Sequence, residues 1–366
     1  MLICKTADIH IGVQGKLDDT MWALNRIRNY CIEHEIKHWV NLGDLFHDRE
    51  IINVRDLYAI SQFLKESKEV HGIEMIIFPG NHDMFMRNSW DINSVTPLGM
   101  GNIVQCYDGV SKVVLGGVRF WILPFIHYET QYMETLAKIE KYHKPGDVLW
   151  THIGVKSATL NTCFLLKSWS IVDFTDSKFD RVYTGHFHSQ QQVGRNLWYP
   201  GSPIPFKFDE GDVDHGFYVF DTETRTHEFI SIWAGATRND PKTPPQFMTI
   251  SDSTIEHATT DDIQGSIVRV ALLKDYTHNQ KLELKDHLEK LGAREVRWMN
   301  ATSQEDKDNV AIGKATTIKA SELFVKYLEE DEDGTKGLDK TLLSELNAEA
   351  VAEGDRRYEF VGGEAE

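Results

Sequence analysis

The fold is decided by one stretch, Trp39-Val40-Asn41-Leu42-Gly43-Asp44-Leu45-Phe46-His47. Its first four residues form a mostly apolar run that is typical of a short buried strand. Gly43 permits a sharp exit from that strand, so Asp44 lies where the strand ends. Because the carboxyl ends of the strands carry the chemistry in an open α/β sheet, we expect Asp44 at the centre of the functional site.

The sequence on both sides of this stretch alternates strand and helix patterns. The helices have apolar residues at helical spacing, and the β-α-β-α-β order predicts a parallel sheet. The predicted elements are a strand over Leu2–Ala7, a helix over Asp18–His34, a strand over Trp39–Leu42, a helix over Asn53–Val70 and a strand over Ile73–Phe78.

The following residues, up to about 235, are predicted to be largely β. We expect two facing sheets with helices outside them, which is an α/β (α+β) fold. The predicted strands are Ile103–Tyr107, Lys112–Leu115, Arg119–Leu123, Asp147–Thr151, Arg181–Thr184, Asn196–Tyr199 and Gly216–Phe220, with a helix near Thr130–Tyr142.

The C-terminal third is predicted to contain smaller units. The segment Thr237–Phe247 contains three prolines, which is typical of a linker, and residues 248–300 suggest a small β-β-α-β unit. Two short amphipathic helices are predicted near the C-terminus. The expected domains are 1–245, 246–300, a linker at 301–316 and a helical tail at 317–366.

Composition excludes several classes of protein. No apolar run approaches the roughly 20 residues that span a bilayer, and the N-terminus starts directly as a strand, so we expect neither a membrane segment nor a signal peptide. Four widely spaced cysteines predict buried thiols in a reducing compartment, and we expect the cytoplasm. The net charge of −17 opposes tight DNA binding without a partner, although residues 303–366 carry about half of the excess.

Five short motifs follow predicted strands. Where two ligand-type residues stand at i and i+2, an extended chain points both side chains to one face. Carboxylate, amide and imidazole groups form a mixed O/N ligand set that suits manganese, iron or zinc better than calcium. The motifs are Asp8-Ile9-His10, Gly43-Asp44, Gly80-Asn81-His82-Asp83, Thr151-His152 and Gly185-His186-Phe187-His188.

This constellation resembles the calcineurin-like metallophosphoesterases. Two further segments, Tyr199-Pro200-Gly201-Ser202-Pro203-Ile204-Pro205 and Phe208-Asp209-Glu210 followed by His215-Gly216-Phe217, are similar to those of SbcD-type DNA repair nucleases, including the recombination nuclease subunits of large tailed phages. The resemblance implies a four-layer β-sandwich flanked by helices, a small α+β capping domain that binds DNA, and a C-terminal helical tail.

The resemblance also implies a site for two divalent metal ions. Manganese is the expected metal and magnesium the alternative. His82 would act as general acid or stabilise transition-state charge, and Asp83 would orient it. His47 would be a second phosphate-handling histidine, or alternatively a loop residue held by a hydrogen bond. The implied ligands are Asp8, His10 and His188 for one metal, Asn81, His152 and His186 for the other, and Asp44 as the bridge.

The expected function is therefore that of a metal-dependent DNA exonuclease/endonuclease in double-strand-break repair and recombination. The tail would bind an SbcC-type ABC ATPase, and the helices Asp18–His34 and Asn53–Val70 would pair in a homodimer. The alternatives are a metallophosphodiesterase or phosphatase with a non-DNA substrate, and a non-catalytic scaffold. Candidate DNA contacts are Lys16, Arg49, Arg55, Arg87, Arg195 and Lys207.

Overall fold

The computed structural model describes most of the first 300 residues. The described residues are 1–300 without 87, 157, 159–170, 175–176, 212, 238–239 and 241–242. The predicted linker at 301–316 and the predicted tail helices at 317–366 lie outside the described residues, as does Arg87.

The N-terminal region alternates strands and helices as predicted. The predicted strands and helices end within a few residues of their predicted bounds, and the five-residue helix Thr96–Met100 was not predicted. In chain order they are β1 (Leu2–Thr6), α1 (Leu17–Glu33), β2 (His38–Asn41), α2 (Val54–Glu69), β3 (Glu74–Ile77), α3 (Thr96–Met100), β4 (Gln105–Cys106), β5 (Ser111–Leu115), β6 (Val118–Leu123) and α4 (Glu129–Glu140).

The following region is largely β, which confirms its predicted character. It also contains strands that were not predicted. Those of two or three residues are too short for a hydrophobic period to be visible, and the five-residue strand His227–Ser231 was also missed. Its strands are β7 (Val148–His152), β8 (Gly154–Val155), β9 (Ile171–Val172), β10 (Arg181–Gly185), β11 (Gln191–Val193), β12 (Leu197–Tyr199), β13 (Gly216–Asp221) and β14 (His227–Ser231).

Two six-stranded sheets organise these strands. The first has the order β14-β13-β1-β2-β3-β4, in which β1 to β4 run parallel and β13 is antiparallel to β1. The second has the order β11-β12-β10-β7-β6-β5, with β10, β7 and β6 parallel. The prediction of two sheets is thus confirmed.

Three apolar clusters fill the spaces between four layers. Leu24 and Ile27 of α1 pack with Trp39 of β2, outside the first sheet. A second cluster, which includes Val40 and Trp150, lies between the sheets. A third joins α4 to the outer face of the second sheet. This helix–sheet–sheet–helix arrangement confirms the predicted β-sandwich flanked by helices.

The register brings the ends of the parallel strands level. In the first sheet Asn41, at the end of β2, pairs with Thr6 of β1 and Ile77 of β3. In the second sheet His152 of β7 pairs with Gly185 of β10. The loops that carry the five motifs therefore leave the sandwich at neighbouring strand ends.

Residues 247–300 form a small parallel sheet with the order β15-β16-β17 and a separate apolar cluster. The order of elements differs from the predicted β-β-α-β unit, because a short helix with a capping box at Thr259 lies between the first two strands. The division of the chain at residue 245 stays a prediction. The elements are β15 (Phe247–Ser251), α5 (Thr260–Ile263), β16 (Ile267–Leu272), α6 (His278–Lys290) and β17 (Glu295–Asn300).

Helix length bears on the membrane prediction. The helices α1 and α2 have 17 and 16 residues. Within the part of the chain that is described, no helix combines the length and the apolar character that crossing a bilayer requires.

Cys4 and Cys31 are buried free thiols and Cys106 is partly buried, whereas Cys163 lies outside the described residues.

Candidate metal centre

The first two motif loops run side by side after β1 and β2. The amide of Asp8 donates to the carbonyl of Gly43 (3.1 Å), and that of His10 donates to the carbonyl of Asp44 (3.1 Å). Asp8, His10 and Asp44 have φ values of 52°, 49° and 54°. The prediction that Asp8 and His10 share a face of extended chain was therefore wrong. They converge through left-handed backbone, a conformation that clusters at functional sites and costs about 1–3 kcal/mol for each residue.

Two glycines allow the loops to approach closely. Gly43 has a φ of 93°. A Cβ atom on Gly43 would lie 2.5 Å from Nδ1 of His152 and 2.8 Å from Cα of Gly80. A Cβ atom on Gly80 would collide with the Asp44 carboxylate. Only glycine at both positions leaves Asp44 room beside the other loops.

Asp8, His10 and His188 form the first group of ligand-type side chains. One ligand atom from each lies within 4.8 Å of the others. Nε2 of His10 is 3.0 Å from Nε2 of His188. Nδ1 of His188 donates to Oε1 of Glu210 (2.8 Å), which orients its Nε2 into the group.

Asn81, His152 and His186 form the second group. Oδ1 of Asn81 lies 3.0 Å from Nε2 of His152 and 2.7 Å from Nδ1 of His186. Nδ1 of His152 donates to the carbonyl of Leu42 (2.8 Å). Because a carbonyl oxygen only accepts, the proton of His152 is fixed on Nδ1 and its Nε2 is directed at the group.

Asp44 lies between the two groups. Its Oδ2 is 3.3 Å from Nε2 of His152 and 3.8 Å from Nε2 of His10. Asp8, Asp44 and His152 also form a cluster within 4.8 Å. The structure thus brings all seven predicted ligands together, with Asp44 in the shared position; their role as ligands stays a prediction.

The buried charges of this cluster are strongly coupled. Burial raises the pKa of Asp8 to about 7, although His152 and His188 act to lower it. Burial also acts to raise the pKa of Asp44, but the imidazoles around it, His152 first, hold that pKa well below its usual value. The same Asp44 carboxylate raises the pKa of His152 to about 9 against the effect of burial. Two buried carboxylates need positive charge beside them.

The other imidazoles are suited to be neutral ligands. Burial and the ring of His188 lower the pKa of His10 well below its usual value. Burial and His152 lower the pKa of His186 to about 3. A metal binds the neutral form of histidine and the ionised form of aspartate. Buried carboxylates, neutral imidazoles and an amide oxygen therefore fit a pair of divalent transition-metal ions.

His82 lies at the edge of the cluster. Its amide donates to Oδ1 of Asp44 (2.8 Å), and its Nδ1 donates to the carbonyl of His47 (2.6 Å). Its ring centroid is 4.9 Å from that of His10. Burial lowers the pKa of His82 to about 4. With the Nδ1 proton fixed, Nε2 is the atom left to exchange a proton with a substrate.

Asp83 does not orient His82 as we predicted. Its carboxylate accepts hydrogen bonds from the amides of Leu45, Phe46 and Gly80, at 3.0–3.2 Å, and from Oγ of Ser94. Among the described residues its partners are these groups and not the His82 ring. Asp83 therefore joins the loop after β2 to the loop after β3.

His47 lies on the same side as His82. Its ring stacks on His82 with centroids 5.5 Å apart and an interplanar angle of 12°. Its Nδ1 is 3.4 Å from Nδ1 of His10. One ring nitrogen from each of His10, His47 and His82 lies within 4.8 Å of the other two. The structure thus places His47 at the site, beside His10 and His82, and its two predicted roles stay predictions.

Glu210 is a site residue that sequence reasoning did not single out. It is 1% exposed, and beside its bond to His188 its Oε2 accepts from the amide of Phe206 (2.8 Å). This is the carboxylate–histidine arrangement that fixes the tautomer of a metal ligand. The signal in the sequence was an acidic residue within a segment otherwise recognised only by resemblance.

The predicted DNA contacts lie at different places. Lys207 is exposed and its charge acts on the pKa of His188, so it lies near the first group. Arg49 is partly buried and Asp44 acts on its pKa. Lys16 pairs with Asp19, and Arg55, 70% exposed, pairs with Asp18. Arg195 is exposed.

Comparisons with known proteins agree with this geometry. The family model of the calcineurin-like phosphoesterases matches residues 1–190. The chain is 26% identical over 244 residues to exonuclease subunit 1 of Enterobacteria phage T4, covering 63% of this chain and 67% of that protein. It is 23% identical over 186 residues to the putative phosphoesterase 244L of Invertebrate iridescent virus 6, covering 48% of this chain and 61% of that protein.

Among solved structures, the nuclease MPE of Pseudomonas putida is similar at 19% identity and a TM-score of 0.28, over 54% of this chain and 66% of that chain. A likeness at that TM-score supports no conclusion about this chain. The family match covers residues 1–190, which is more than half of the chain and includes all seven predicted ligands. The chain belongs to the calcineurin-like phosphoesterase family.

Proposed function

We propose that the chain is the nuclease subunit of a DNA repair and recombination complex, which hydrolyses phosphodiester bonds with two divalent metal ions. The observation that carries the proposal is the convergence of two ligand groups on the shared, buried Asp44. The likeness to a phage exonuclease subunit supports DNA as the substrate. Manganese is the proposed metal, with magnesium as the alternative, because the ligands mix oxygen and nitrogen.

Each predicted site residue has a proposed role. When bound, two divalent ions would polarise the phosphate and activate the attacking water. Asp8, His10 and His188 would hold one ion, and Asn81, His152 and His186 the other. Asp44 would bridge them.

His82 would present Nε2 to the departing oxygen or to the charge of the transition state. The negative charge of a bound diester favours the protonated ring. General acid catalysis of this kind contributes roughly 10²–10⁴-fold. His47, stacked on His82, would contact a second phosphate oxygen.

The small C-terminal sheet contacts the segment that carries Glu210. The guanidinium of Arg269 lies 4.6 Å from the centre of the Phe208 ring, and that of Arg297 lies 5.6 Å from it. Phe208 stands two residues before Glu210, which holds His188. These contacts support the proposal that residues 246–300 cap the site. The proposal that this sheet binds DNA phosphates rests on the resemblance, since Arg269 pairs with Asp209 and Arg297 pairs with Glu295.

A homodimer is proposed through α1 and α2. The outer side of α2 exposes Val54 (80%), Tyr58 (66%) and Leu57 (38%), and Ile51 precedes it at 74% exposure. Residues at i, i+3 and i+4 form one face of a helix. Exposed apolar residues in one patch mark interaction surfaces, which favours pairing of this face with a second copy.

The predicted tail at 317–366 is the proposed binding site for an SbcC-type ABC ATPase. Its two short amphipathic helices would be marginal alone. With a net charge of −17 on the chain, tight DNA binding would depend on such a partner. We propose that the complex acts in the cytoplasm, or in the host cytoplasm if a phage encodes it.

The test is cleavage of labelled linear duplex DNA by the full chain with manganese, with and without an SbcC-type ATPase, and with EDTA as the control. We expect metal-dependent cleavage that the ATPase changes. Hydrolysis of small phosphodiesters without DNA cleavage under either condition would instead support a phosphodiesterase with a non-DNA substrate. Deletion of residues 317–366 is expected to abolish ATPase association and to spare basal cleavage.

A further inference from the structure

A cavity of about 210 Å³ adjoins the second ligand group. It lies between the loop that follows Asp83 and the start of α4. Its floor is apolar, with Met84 at 1% and Phe125 at 3% exposure. Half-buried Trp90 and His127 form part of its wall, and the exposed amide side chains of Asn88 and Gln131 lie at its mouth.

The cavity and the metal centre share a wall. The ring of Phe125 has its centroid 6.1 Å from that of His186, at an interplanar angle of 21°, and 6.2 Å from that of His152. Met84 follows Asn81 by three residues. A group in the cavity and a phosphate at the second ligand group would therefore lie on opposite sides of one aromatic ring.

The position of Trp90 is fixed by a hydrogen bond. Its Nε1 donates to the carbonyl of Phe125 (2.6 Å), and a bond between Phe85 and Ile92 closes the loop that carries it. A side chain held in this way presents a preformed aromatic face. Preformed faces bind with a smaller loss of conformational freedom.

The chemistry of the lining selects a flat, uncharged ring. Its described residues include the carboxylate of Asp91 and no lysine or arginine, so a phosphate is disfavoured there. The volume is below the roughly 300 Å³ at which drug-sized ligand sites begin. Aromatic faces stack on bases of any sequence, and amides such as Gln131 both donate and accept hydrogen bonds.

We propose that this cavity binds one unstacked nucleobase of the DNA strand that is cut. This inference rests on the proposed nuclease function. The base belongs to a nucleotide beside the scissile phosphate, and its capture positions that phosphate at the metal centre. Because the base must leave its stack, strands that are already unpaired are the preferred substrates.

The test uses single-stranded oligonucleotides in which one abasic residue is moved through the positions around the scissile bond, with the full chain and manganese. We expect one position at which loss of the base slows cleavage about tenfold, which corresponds to about 1.4 kcal/mol. Trp90→Ala and Gln131→Ala should slow cleavage of the intact strand and leave cleavage of that abasic strand unchanged. Trp90→Phe should restore part of the rate.

Glu134→Ala is the matched control, since Glu134 is exposed on α4 and does not line the cavity. Equal slowing of intact and abasic strands by Gln131→Ala would overturn the proposal. Equal rates of wild-type cleavage for every abasic strand would also overturn the cavity proposal, but they would not contradict the nuclease function.

A binding measurement separates the two proposals further. The full chain binds oligonucleotides that carry the fluorescent base 2-aminopurine at the sensitive position, with calcium in place of manganese. If no cleavage occurs, 2-aminopurine is instead moved through each position in turn. If the wild type quenches the 2-aminopurine fluorescence at one position and Trp90→Ala does not, the result supports base binding in the cavity, even where the DNA stays uncut. Uncut DNA by itself would count against the nuclease function. No position-dependent quenching would overturn the cavity proposal.

Discussion

The metal centre and the core between the two sheets both bury charged side chains, but they surround them differently. At the centre, the buried carboxylate of Asp44 lies 3.3–3.8 Å from two imidazoles, and the amide oxygen of Asn81 lies 2.7–3.0 Å from two imidazole nitrogens. In the core, Lys5 is 0% exposed and its Nζ has no hydrogen-bond partner among the described residues. It lies instead 3.7 Å from the ring centre of Tyr183 and 4.1 Å from that of Phe220.

The difference shows what makes a buried polar group part of a site. Burial lowers the pKa of Lys5 well below its usual value, and no carboxylate among the described residues opposes this shift. At the centre, opposite charges hold one another in place and converge on a common point. Burial of a charge is therefore insufficient evidence of function, whereas convergence of several ligand-type atoms from separate loops supports it.

The largest expected effect comes from Asp44→Asn, which keeps the shape of the side chain and removes the shared charge. We expect cleavage at background level and loss of bound metal, because each group loses its common carboxylate. Metal content by mass spectrometry and cleavage of linear DNA check this. Two bound ions and normal cleavage would contradict the shared position of Asp44.

Asn81→Ala and His82→Ala separate binding from proton transfer. Both should fold. Both should lose cleavage, His82→Ala by roughly 10²–10⁴-fold, but only Asn81→Ala should lose the second metal ion. Calorimetric titration with manganese distinguishes them. Full activity of His82→Ala would remove its role in catalysis.

A smaller effect is expected from Glu210→Gln, which weakens the hydrogen bond that orients His188. Loss of such a supporting carboxylate typically costs 10–100-fold in metal affinity or activity. The manganese dependence of cleavage measures it, with excess metal expected to restore part of the rate. Asp209→Asn is the matched control, because Asp209 pairs with Arg269 and not with a predicted ligand. Equal effects of the two changes would show that Glu210 has no special role.

Lys5→Met is expected to have no effect on activity. It should instead raise the free energy of unfolding by about 1–3 kcal/mol at neutral pH. The folded protein holds the pKa of Lys5 below that of the unfolded chain, so the unfolded chain binds the extra proton. Wild-type stability should accordingly rise as the pH rises towards the unfolded pKa of about 10.4. Urea unfolding of both proteins at pH 7 and pH 9 measures the difference, which should shrink at pH 9. A destabilised variant would show that Lys5 is satisfied in the core.

Much of the site was predictable because its ligands lie directly after strands. Apolar runs that stop at a glycine or a polar residue are local signals, and they identified the loops of Asp8, Asp44 and Asn81. The backbone of Asp8 and His10 was not predictable from spacing, since left-handed φ values arise from the hydrogen bonds to Gly43 and Asp44.

The roles of Asp83 and Glu210 were also beyond local patterns. Asp83 bonds to amides of Leu45 and Phe46, 38 and 37 residues earlier, and Glu210 bonds to His188, 22 residues earlier. Which carboxylate binds a metal and which supports a loop depends on distances between segments that are far apart in sequence.

The sequence by itself determined the alternation of strands and helices in the first region, the residue types of the metal centre and their positions at strand ends, because these follow from hydrophobic period and chain breaks. Only the tertiary structure decided the left-handed backbone of Asp8 and His10, the support that Glu210 gives to His188, and the cavity behind Phe125. It also decided that Lys5 is buried with no hydrogen-bond partner for its Nζ among the described residues. Those features depend on contacts between loops and layers, and such contacts are set by packing of the whole sandwich rather than by neighbours along the chain.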